Sequence, residues 1–327
     1  MLNDAARWYA NSTHFWSTWT ASDLVAAKNG TTISVVLPAR DEQGTVGDVV
    51  GAIRADLVDA LPLVDEIVVM DSDSHDRTAR VAADAGARVV ACSDVVPELG
   101  MRPGKGEALW KSLFVTSGEL LVFVDADLVD VGSHYVTGLL GPLLTEPHVA
   151  LVKAFYDRPL VTEEGVSPYG GGRVTELVAR PLVNLLWPDL AGIVQPLSGE
   201  YAGRRAALER LPFACGYGVE IGMLIDLVGA YGVDVIAQVD LGHRVHRHQA
   251  DTALGVMAAE ILATALRRLP HPPQLQLDAG LTQYRRDLDG LQVAVRDVPG
   301  LERPPAVEIP AYLARGDAPW VREGGIA

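Results

Sequence analysis

Two aspartates, Asp125 and Asp127, follow the apolar run 120–124, with one residue between them. Such a run is typical of a buried strand in a parallel sheet, and ligands of these sheets collect beyond the carboxyl ends of the strands. Two close carboxylates stay ionised most easily when a divalent cation or several donors neutralise them. The pair therefore predicts a site for Mg²⁺ or Mn²⁺ and a bound diphosphate. Taken alone, the motif favours the alternative that Asp127 caps the following turn and Asp125 faces solvent.

A lysine between two glycines, Lys105, lies in the loop 102–107. The glycines let a backbone approach a ligand closely, and an ammonium pairs with phosphate. The lysine is followed by glycine rather than Ser or Thr, so this is not a P-loop. No Gly-x-Gly-x-x-Gly follows the first strand either, which argues against a dinucleotide-dependent dehydrogenase. A plain surface turn is the alternative for this loop.

The glycine-rich segment 170–175 opens a predicted helix and contains Arg173 and Thr175. Backbone N–H groups, the helix dipole, a guanidinium and a hydroxyl would converge there on one anion. We interpret the segment as a seat for a phosphate or a carboxylate. A flexible loop with an incidental arginine is the alternative.

Three histidines and two arginines lie within the segment 242–248. In an extended chain, Arg244, His246 and His248 share one face. One imidazole would complete the site that Asp127 begins, since Mn²⁺ accepts nitrogen as well as oxygen ligands. A zinc enzyme is the rival hypothesis, but neither His-Glu-x-x-His nor a cysteine pair supports it. Solvated histidines are the ordinary alternative.

Two segments, 195–201 with Leu197 and 216–222, place polar residues among small ones, as a close-fitting sugar pocket requires. Glu200 and Glu220 are candidate acceptors for sugar hydroxyls. Either is equally compatible with a buried carboxylate that pairs with an arginine for structural reasons.

The elements that position these residues alternate between strand and helix. Predicted strands at 33–38, 66–71, 87–91, 120–124 and 150–156 are separated by helices at 45–60, 76–85 and from 108, which indicates a parallel α/β sheet. The first two strands end in the loops 38–42 and 71–76, whose hydroxyls and carboxylates suit a base and ribose or, equally, helix caps.

The chain divides into four predicted parts. Residues 1–30 form an aromatic arm, 31–147 a nucleotide-sugar-binding half, 148–260 an acceptor-binding half, and 261–327 a helical and irregular extension rich in proline.

Composition excludes several classes of protein. With 327 residues, 49% of them hydrophobic, the chain can bury a large core, and its net charge of −15 argues against binding to nucleic acid or to an anionic membrane. Two cysteines fit a reducing compartment, and no segment is apolar for long enough to span a bilayer. We therefore expect a cytoplasmic protein.

Six short motifs carry a resemblance to a known family. They are Val36-Leu37-Pro38-Ala39, Asp71-Ser72-x-Ser74, Arg102-Pro103-Gly104-Lys105-Gly106-Glu107-Ala108-Leu109-Trp110, Asp125-Ala126-Asp127, Gly171-Gly172-Arg173-Val174-Thr175-Glu176-Leu177 and Tyr217-Gly218-Val219-Glu220-Ile221-Gly222. Over residues 20 to 260 the chain resembles the glucosyl-3-phosphoglycerate synthase family, which includes a bacterial mannosyl-3-phosphoglycerate synthase to which it is especially similar. The resemblance implies the GT-A glycosyltransferase fold, an α/β fold with a Rossmann-like, mainly parallel central sheet flanked by helices.

The resemblance also implies roles for individual residues. The metal ligands would be Asp127 and His246. From the mechanism that the residues themselves suggest, we take Asp125, Asp127, Glu220 and Lys105 as the candidate catalytic residues. The donor would contact Pro38, Ala39, Arg40, Asp41, Glu42, Ser72, Lys105, Asp125, Ala126, Tyr217, Gly218, Val219 and Glu220, to which we add Leu197. The acceptor would contact Gly172, Arg173, Val174, Thr175 and His248, to which we add Arg244. Two positions depart from the family: the first loop has Ala39-Arg40-Asp41-Glu42 in place of Leu-Asn-Glu, and His248 replaces an asparagine.

We therefore expect a retaining, Mg²⁺- or Mn²⁺-dependent transferase that moves a hexose from a nucleotide-diphosphate sugar to the 2-hydroxyl of 3-phosphoglycerate. GDP-mannose is favoured over UDP-glucose, on resemblance alone. Glu220 is the candidate for a far-face nucleophile, and front-face attack is preferred. The aromatic arm and the tail favour a homodimer. A sugar nucleotidyltransferase and a non-catalytic sugar-nucleotide sensor are the alternative functions.

Overall fold

The computed structural model describes residues 4–157, 160–162, 165–167, 172–244, 251–287 and 290–315. Its largest element is an eight-stranded sheet. The strands, numbered along the chain and given in spatial order, are β1 (Thr13–Phe15), β11 (Ile236–His243), β6 (Leu151–Asp157), β9 (Tyr201–Arg204), β5 (Leu120–Phe123), β2 (Ile33–Ala39), β3 (Glu66–Asp71) and β4 (Arg88–Ala91). Only β9 runs antiparallel to its neighbours, β5 and β6. The predicted mainly parallel sheet is confirmed.

The other elements surround this sheet. Short strand pairs are β7 (Leu160–Thr162) with β8 (Gly165–Ser167), β10 (Phe213–Ala214) with β14 (Glu302–Arg303), and β12 (Leu281–Asp287) with β13 (Gly290–Arg296). The α-helices are α1 (Asp4–Ser12), α2 (Ala21–Lys28), α3 (Val46–Arg54), α4 (Thr78–Asp84), α5 (Lys105–Val115), α6 (His134–Thr145), α7 (Arg180–Leu186), α8 (Arg205–Leu208), α9 (Val219–Tyr231), α10 (Asp251–Leu266) and α11 (Pro310–Leu313). Among the described residues no helix has both the length and the apolar character to cross a membrane. The cytoplasmic location stays a prediction.

Both faces of the sheet are covered by helices and are therefore buried. Successive side chains of each strand point to opposite sides and so contribute to two different cores. In β2, Val35 and Leu37 pack into one hydrophobic core and Val36 packs into the other. Helices α3 and α6 contribute to the first core, whereas α5, α9 and α10 contribute to the second. The carboxyl ends of seven strands and the amino end of β9 therefore meet at one edge of the sheet.

The amino-terminal segment is more regular than the aromatic arm that we expected. Helix α1 buries Trp8, whose Nε1 donates to the Val233 carbonyl at 3.2 Å, and β1 extends the sheet in parallel with β11. Trp19 packs so closely on α6 that a Cβ at Gly141 would overlap its ring. Trp8 and Trp19 thus dock on the body of the same chain, whereas Tyr9, Phe15 and Trp16 are exposed. The elements are too short to produce a clear period in the sequence.

The carboxyl-terminal extension also differs from the irregular tail with one helix that we expected. Helix α10 spans the proposed boundary at residue 260, and β12 and β13 form a hairpin. The alternation of Leu291, Val293 and Val295 was a strand signal that the neighbouring prolines obscured. The extension returns to the body through β14, which pairs with β10.

Candidate active site

The aspartate pair lies at the functional edge of the sheet, directly after β5. Val124, Ala126 and Leu128 are buried in the core, so the alternation of the chain turns Asp125 and Asp127 to the other side. Their side chains are 20% and 52% exposed. Both line a cavity of about 580 Å³.

This cavity brings most of the predicted site residues together. From the predicted donor and catalytic set it is lined by Pro38, Ala39, Arg40, Glu42, Ser72, Lys105, Asp125, Ala126, Asp127, Leu197, Tyr217 and Glu220. From the predicted acceptor set it is lined by Gly172, Arg173, Val174, Thr175 and Arg244. His246 and His248 lie outside the described residues.

Three predicted donor residues do not line the cavity. Asp41 instead stabilises the adjacent loop, since its Oδ1 accepts from the His75 N–H at 2.7 Å and its own N–H donates to Ser74 Oγ at 3.0 Å. Val219 is buried in the core, and a Cβ at Gly218 would overlap the Thr264 side chain. Their neighbours in the chain line the cavity, but the immediate contacts of these three residues are structural.

The glycines beside Lys105 have a different role from the one that we expected. A Cβ at Gly104 or Gly106 would overlap the carbonyl oxygens of Cys215 and Ala214, respectively. Gly104 also has φ of +110°, a backbone conformation that favours glycine. The two glycines therefore allow the loop to pack against the β10 chain, whereas ligand approach was the predicted reason.

Lys105 connects two of the three predicted catalytic carboxylates. Its Nζ donates to Asp125 and lies 3.5 Å from Glu220 Oε1. Burial alone would lower the pKa of Lys105 and raise that of Asp125, but their mutual attraction, helped by Glu220 and Arg244, raises the first pKa and lowers the second. Both groups are therefore charged at neutral pH.

Arg244 is the second cation of the site and neutralises three carboxylates. Its guanidinium donates to Glu200 at 2.8 Å and lies 3.3 Å from both Asp125 and Asp127. Glu200 is fully buried and also accepts from the Tyr156 hydroxyl at 2.7 Å. Of the two alternatives for Glu200, the structure supports the structural pair with an arginine.

Replacing Arg244 with methionine should destabilise the fold by about 3–5 kcal/mol, because Glu200 would remain buried without its cation. Urea unfolding of the purified variant measures this loss. The double variant Arg244→Met/Glu200→Gln should recover a large part of it, since no buried charge is then left unpaired. A loss below about 1 kcal/mol in the single variant would contradict the proposed dependence of Glu200 on Arg244.

Lys153 is a buried lysine beneath the cavity that the sequence analysis did not single out. Its Nζ donates to the Ser198 carbonyl at 2.5 Å and lies 4.8 Å from the centre of the Tyr201 ring. Burial, reinforced by the charge of Lys105, lowers its pKa from 10.5 to about 8, although Glu220, Glu200 and Asp125 act in the opposite direction.

Stability should consequently rise with pH through the contribution of Lys153. Between pH 8 and 10.5 the folded lysine loses its proton while the unfolded one keeps it, so the unfolded state binds more protons. Relative to Lys153→Met, the free energy of unfolding should increase by about 2 kcal/mol from pH 7.5 to 9.5. The prediction is refuted if the free energy of unfolding depends on pH in the same way in the two proteins.

Helix α10 forms a wall of the cavity that sequence reasoning missed. Leu254, Met257 and Ile261 line it at helical spacing, a signal that was present in the sequence. From the same helix, Glu260 Oε2 accepts from the Tyr217 N–H at 2.7 Å. Glu260 thereby holds the backbone of a predicted donor residue.

Asp127 is suited to hold a hard divalent cation. Its carboxylate is half exposed at the cavity wall, and burial together with the charge of Asp125 raises its pKa despite Arg244. A nearby cation would remove this penalty, and oxygen ligands suit Mg²⁺ and Mn²⁺. The described residues contain no group of three His, Cys, Asp or Glu side chains placed to hold a metal. Mg²⁺ commonly needs only one or two carboxylates, with water and substrate phosphates as further ligands.

Comparison with known proteins agrees with the motifs. The profile of "Glycosyl transferase family 2" matches residues 34–209. The chain is 45% identical over 290 residues to glucosyl-3-phosphoglycerate synthase of Petrotoga mobilis, which covers 87% of this chain and 89% of that protein. It is 48% identical over 301 residues to the synthase of Mycolicibacterium smegmatis, and the match covers 91% of this chain and 97% of that protein. This chain belongs to the glucosyl-3-phosphoglycerate synthase family.

The family likeness extends to the three-dimensional structure. The crystal structure of glucosyl-3-phosphoglycerate synthase from Mycobacterium tuberculosis with Mn²⁺, UDP-glucose and phosphoglyceric acid matches with a TM-score of 0.80 and 46% identity, covering 91% of this chain and 98% of that chain. The resemblance predicted from the motifs is therefore confirmed, as is the glycosyltransferase fold.

Proposed function

We propose that this protein transfers glucose from UDP-glucose to the 2-hydroxyl of 3-phosphoglycerate with retention of configuration. The observation that carries the proposal is one cavity that contains Lys105 and the aspartate pair together with Arg173 and Thr175. The relatives named for glucosyl transfer support UDP-glucose as donor. They give no support to the expected preference for GDP-mannose.

The donor diphosphate would lie beside Lys105 and Asp127. The divalent metal, Mg²⁺ or Mn²⁺, would be held by Asp127 and the predicted ligand His246, and when bound it would supply charge to stabilise the leaving diphosphate. Lys105 adds a second positive charge at the same end of the cavity, with its ammonium fixed by Asp125. At the acceptor end, Arg173 and Thr175 would hold the phosphate or carboxylate of 3-phosphoglycerate.

We infer front-face attack as the retaining route. The bond from the anomeric carbon to the diphosphate oxygen breaks, and its electron pair stays on that oxygen. The acceptor 2-hydroxyl then bonds to the anomeric carbon on the same face and gives its proton to the departing phosphate. Glu220 is a poor far-face nucleophile, because burial raises its pKa against the effect of Lys105 and Lys153, and its Oε1 lies 3.5 Å from the Lys105 ammonium.

A transfer assay tests this function. UDP-glucose or GDP-mannose is incubated with 3-phosphoglycerate and Mg²⁺, with and without chelator, and the anomeric configuration of the product is read by NMR. Chelator-sensitive formation of an α-glucoside from UDP-glucose is expected, with slower transfer from GDP-mannose. Faster transfer from GDP-mannose would reverse the donor assignment. Release of pyrophosphate would indicate a nucleotidyltransferase, and binding without turnover would indicate a sensor.

We propose in addition that two copies associate through the β12–β13 hairpin. Tyr284 pairs with Val293 across the hairpin, and these residues together with Leu291 and Val295 are each more than half exposed. They make one face of the hairpin largely apolar, with Thr282 and Arg286 at its ends. A two-stranded hairpin is marginal alone, and a two-fold dimer is the commonest way to cover such a face.

Light scattering after gel filtration tests the dimer. Val293→Lys should convert it to a monomer, whereas Gln292→Lys, on the opposite face of the same strand, should not. A monomeric unmutated protein, or a Val293→Lys variant that stays dimeric, would refute this interface.

A further inference from the structure

A strap formed by residues 299–304 crosses behind the loop that carries Lys105. Its first residue, Pro299, lines the cavity, and the Leu301 carbonyl accepts from the Cys215 N–H at 2.8 Å. At its other end, the Pro304 carbonyl accepts from Trp110 Nε1 at 2.8 Å. The strap comes from the predicted carboxyl-terminal extension, in which the sequence analysis named no site residue.

Arg303 is the residue of this strap that reaches the loop. Its guanidinium donates to the carbonyls of Leu99 at 3.1 Å and Gly100 at 2.7 Å, immediately before the loop. The same group donates through Nε and Nη2 to both oxygens of Glu107 at 2.7 Å, and Glu107 lies in the first turn of α5, one residue after Gly106. One buried side chain therefore holds both ends of the segment 101–106.

We call the contacts of Arg303 with Glu107 and with the carbonyls of Leu99 and Gly100 the clamp, and its specificity comes from Glu107. It is 1% exposed and Arg303 is 3% exposed, so the pair is shielded from water and from salt. The Glu107 carboxylate also accepts from the Arg102 N–H at 3.3 Å and lies 3.5 Å from the Lys111 ammonium. The planar fork of an arginine matches a carboxylate with two bonds, and a lysine cannot reproduce that geometry.

The clamp adds to two backbone contacts of this segment, namely the Glu107 N–H that donates to the Cys215 carbonyl at 3.2 Å and the Lys111 ammonium that donates to the Gly100 carbonyl at 3.3 Å, and it is the contact that joins the two ends. Gly104 and Gly106 give the chain wide conformational freedom, and the loop packs on β10 only while those glycines stay close to its carbonyls. Lys105 lies between them, and its ammonium must stay beside Asp125. Displacement of the ends of the loop would move that ammonium.

We propose that Arg303 is a positioning residue of the donor site, which holds Lys105 in place by clamping both ends of its loop. The proposal rests on the function proposed above, because it assigns the diphosphate to Lys105. Arg303 itself does not line the cavity. It acts through Glu107 and the backbone of residues 99 and 100.

The test uses a double variant so that the buried Glu107 carboxylate is not left without Arg303, while the Lys111 ammonium keeps the carbonyls of Cys92 and Gly100 as acceptors. Arg303→Met/Glu107→Gln removes the clamp, and Arg303→Lys keeps the charge but loses the fork. The matched control is Arg268→Met, which breaks the ion pairs of Arg268 with Asp226 at 2.7 Å and with Glu302 at 2.6 Å. The control loosens the same strand, β14, without touching Glu107. All proteins are compared at a temperature where thermal melts show them folded.

Two readouts are needed. Hydrogen exchange of the amides in 99–107 requires no substrate, and it should be at least 10-fold faster in the double variant than in the unmutated protein and the control. Calorimetry with UDP and Mg²⁺ should give an affinity about 10-fold weaker in the double variant, with an intermediate loss in Arg303→Lys. The KM for 3-phosphoglycerate should stay within 2-fold.

The proposal is overturned if either the exchange of the loop or the affinity for UDP in the double variant equals that of the unmutated protein. It is also overturned if Arg268→Met produces the same changes, since general loosening of β14 would then explain them. If the unmutated protein binds UDP but transfers no glucose, the proposed function fails, and the two readouts still decide the role of Arg303.

Discussion

Replacing Asp127 with asparagine should lower kcat/KM for glucose transfer by about 10²–10³-fold, the range seen when one charge-stabilising group is lost from an active site. The amide side chain would keep the shape of the carboxylate but would bring no negative charge to a divalent cation. Asp127 is half exposed, and its buried partner is Arg244. In the variant Arg244 still has two carboxylate partners, Glu200 and Asp125. The fold should therefore tolerate the change.

Steady-state kinetics at several Mg²⁺ concentrations measures this effect. The variant should need more Mg²⁺ for half-maximal rate, and its thermal melt should stay close to that of the unmutated protein. Asp84→Asn is the matched control, because Asp84 is an exposed carboxylate on α4 that pairs only with Arg80 at 3.6 Å among the contacts described. An Asp127→Asn variant with unchanged Mg²⁺ dependence would refute the assignment of Asp127 as a metal ligand.

Replacing Arg173 with methionine should raise the KM for 3-phosphoglycerate by about 100-fold, since charge-assisted hydrogen bonds contribute about 1.5–3 kcal/mol each. Arg173 lines the end of the cavity that we propose for the acceptor, next to Thr175 and to Gly172 with its positive φ. The donor end, with Lys105, lies on a different loop. The affinity for UDP with Mg²⁺ should therefore change by less than 2-fold.

The control for this prediction comes from the same helical segment. Arg180 pairs with Glu176 at 2.9 Å and does not line the cavity, so Arg180→Met should leave the KM for both substrates unchanged. Titration of 3-phosphoglycerate at saturating UDP-glucose distinguishes the two variants. Equal KM values for Arg173→Met and the unmutated protein would refute the assignment of Arg173 to the acceptor-binding site.

Local patterns were sufficient to place the aspartate pair. The apolar run before Asp125 predicted a buried strand, and strict alternation then required both carboxylates to face away from the core that takes Val124 and Ala126. The parallel order of the strands predicted that the loops after β2, β3 and β5 would meet at one edge. These inferences need only the residues within one strand and its turn.

Contacts of the individual carboxylates were not predictable in the same way. Glu200 and Glu220 were equivalent as sequence patterns, yet one is paired with Arg244 beneath the cavity and the other lines the cavity beside Lys105. The glycines around Lys105 were correctly seen as places of close approach. The sequence did not reveal that the approaching group is the β10 backbone.

The sequence by itself determined the α/β architecture, the edge of the sheet where the loops converge and the family to which the chain belongs. Only the tertiary structure decided which charges are paired and which segments complete the cavity, namely helix α10 and the strap 299–304. The physical reason is the distance along the chain over which each kind of interaction acts. Strand alternation and turn chemistry act between neighbours in the chain, whereas Glu107 and Arg303 are 196 positions apart and meet only because the folded chain places them 2.7 Å from each other.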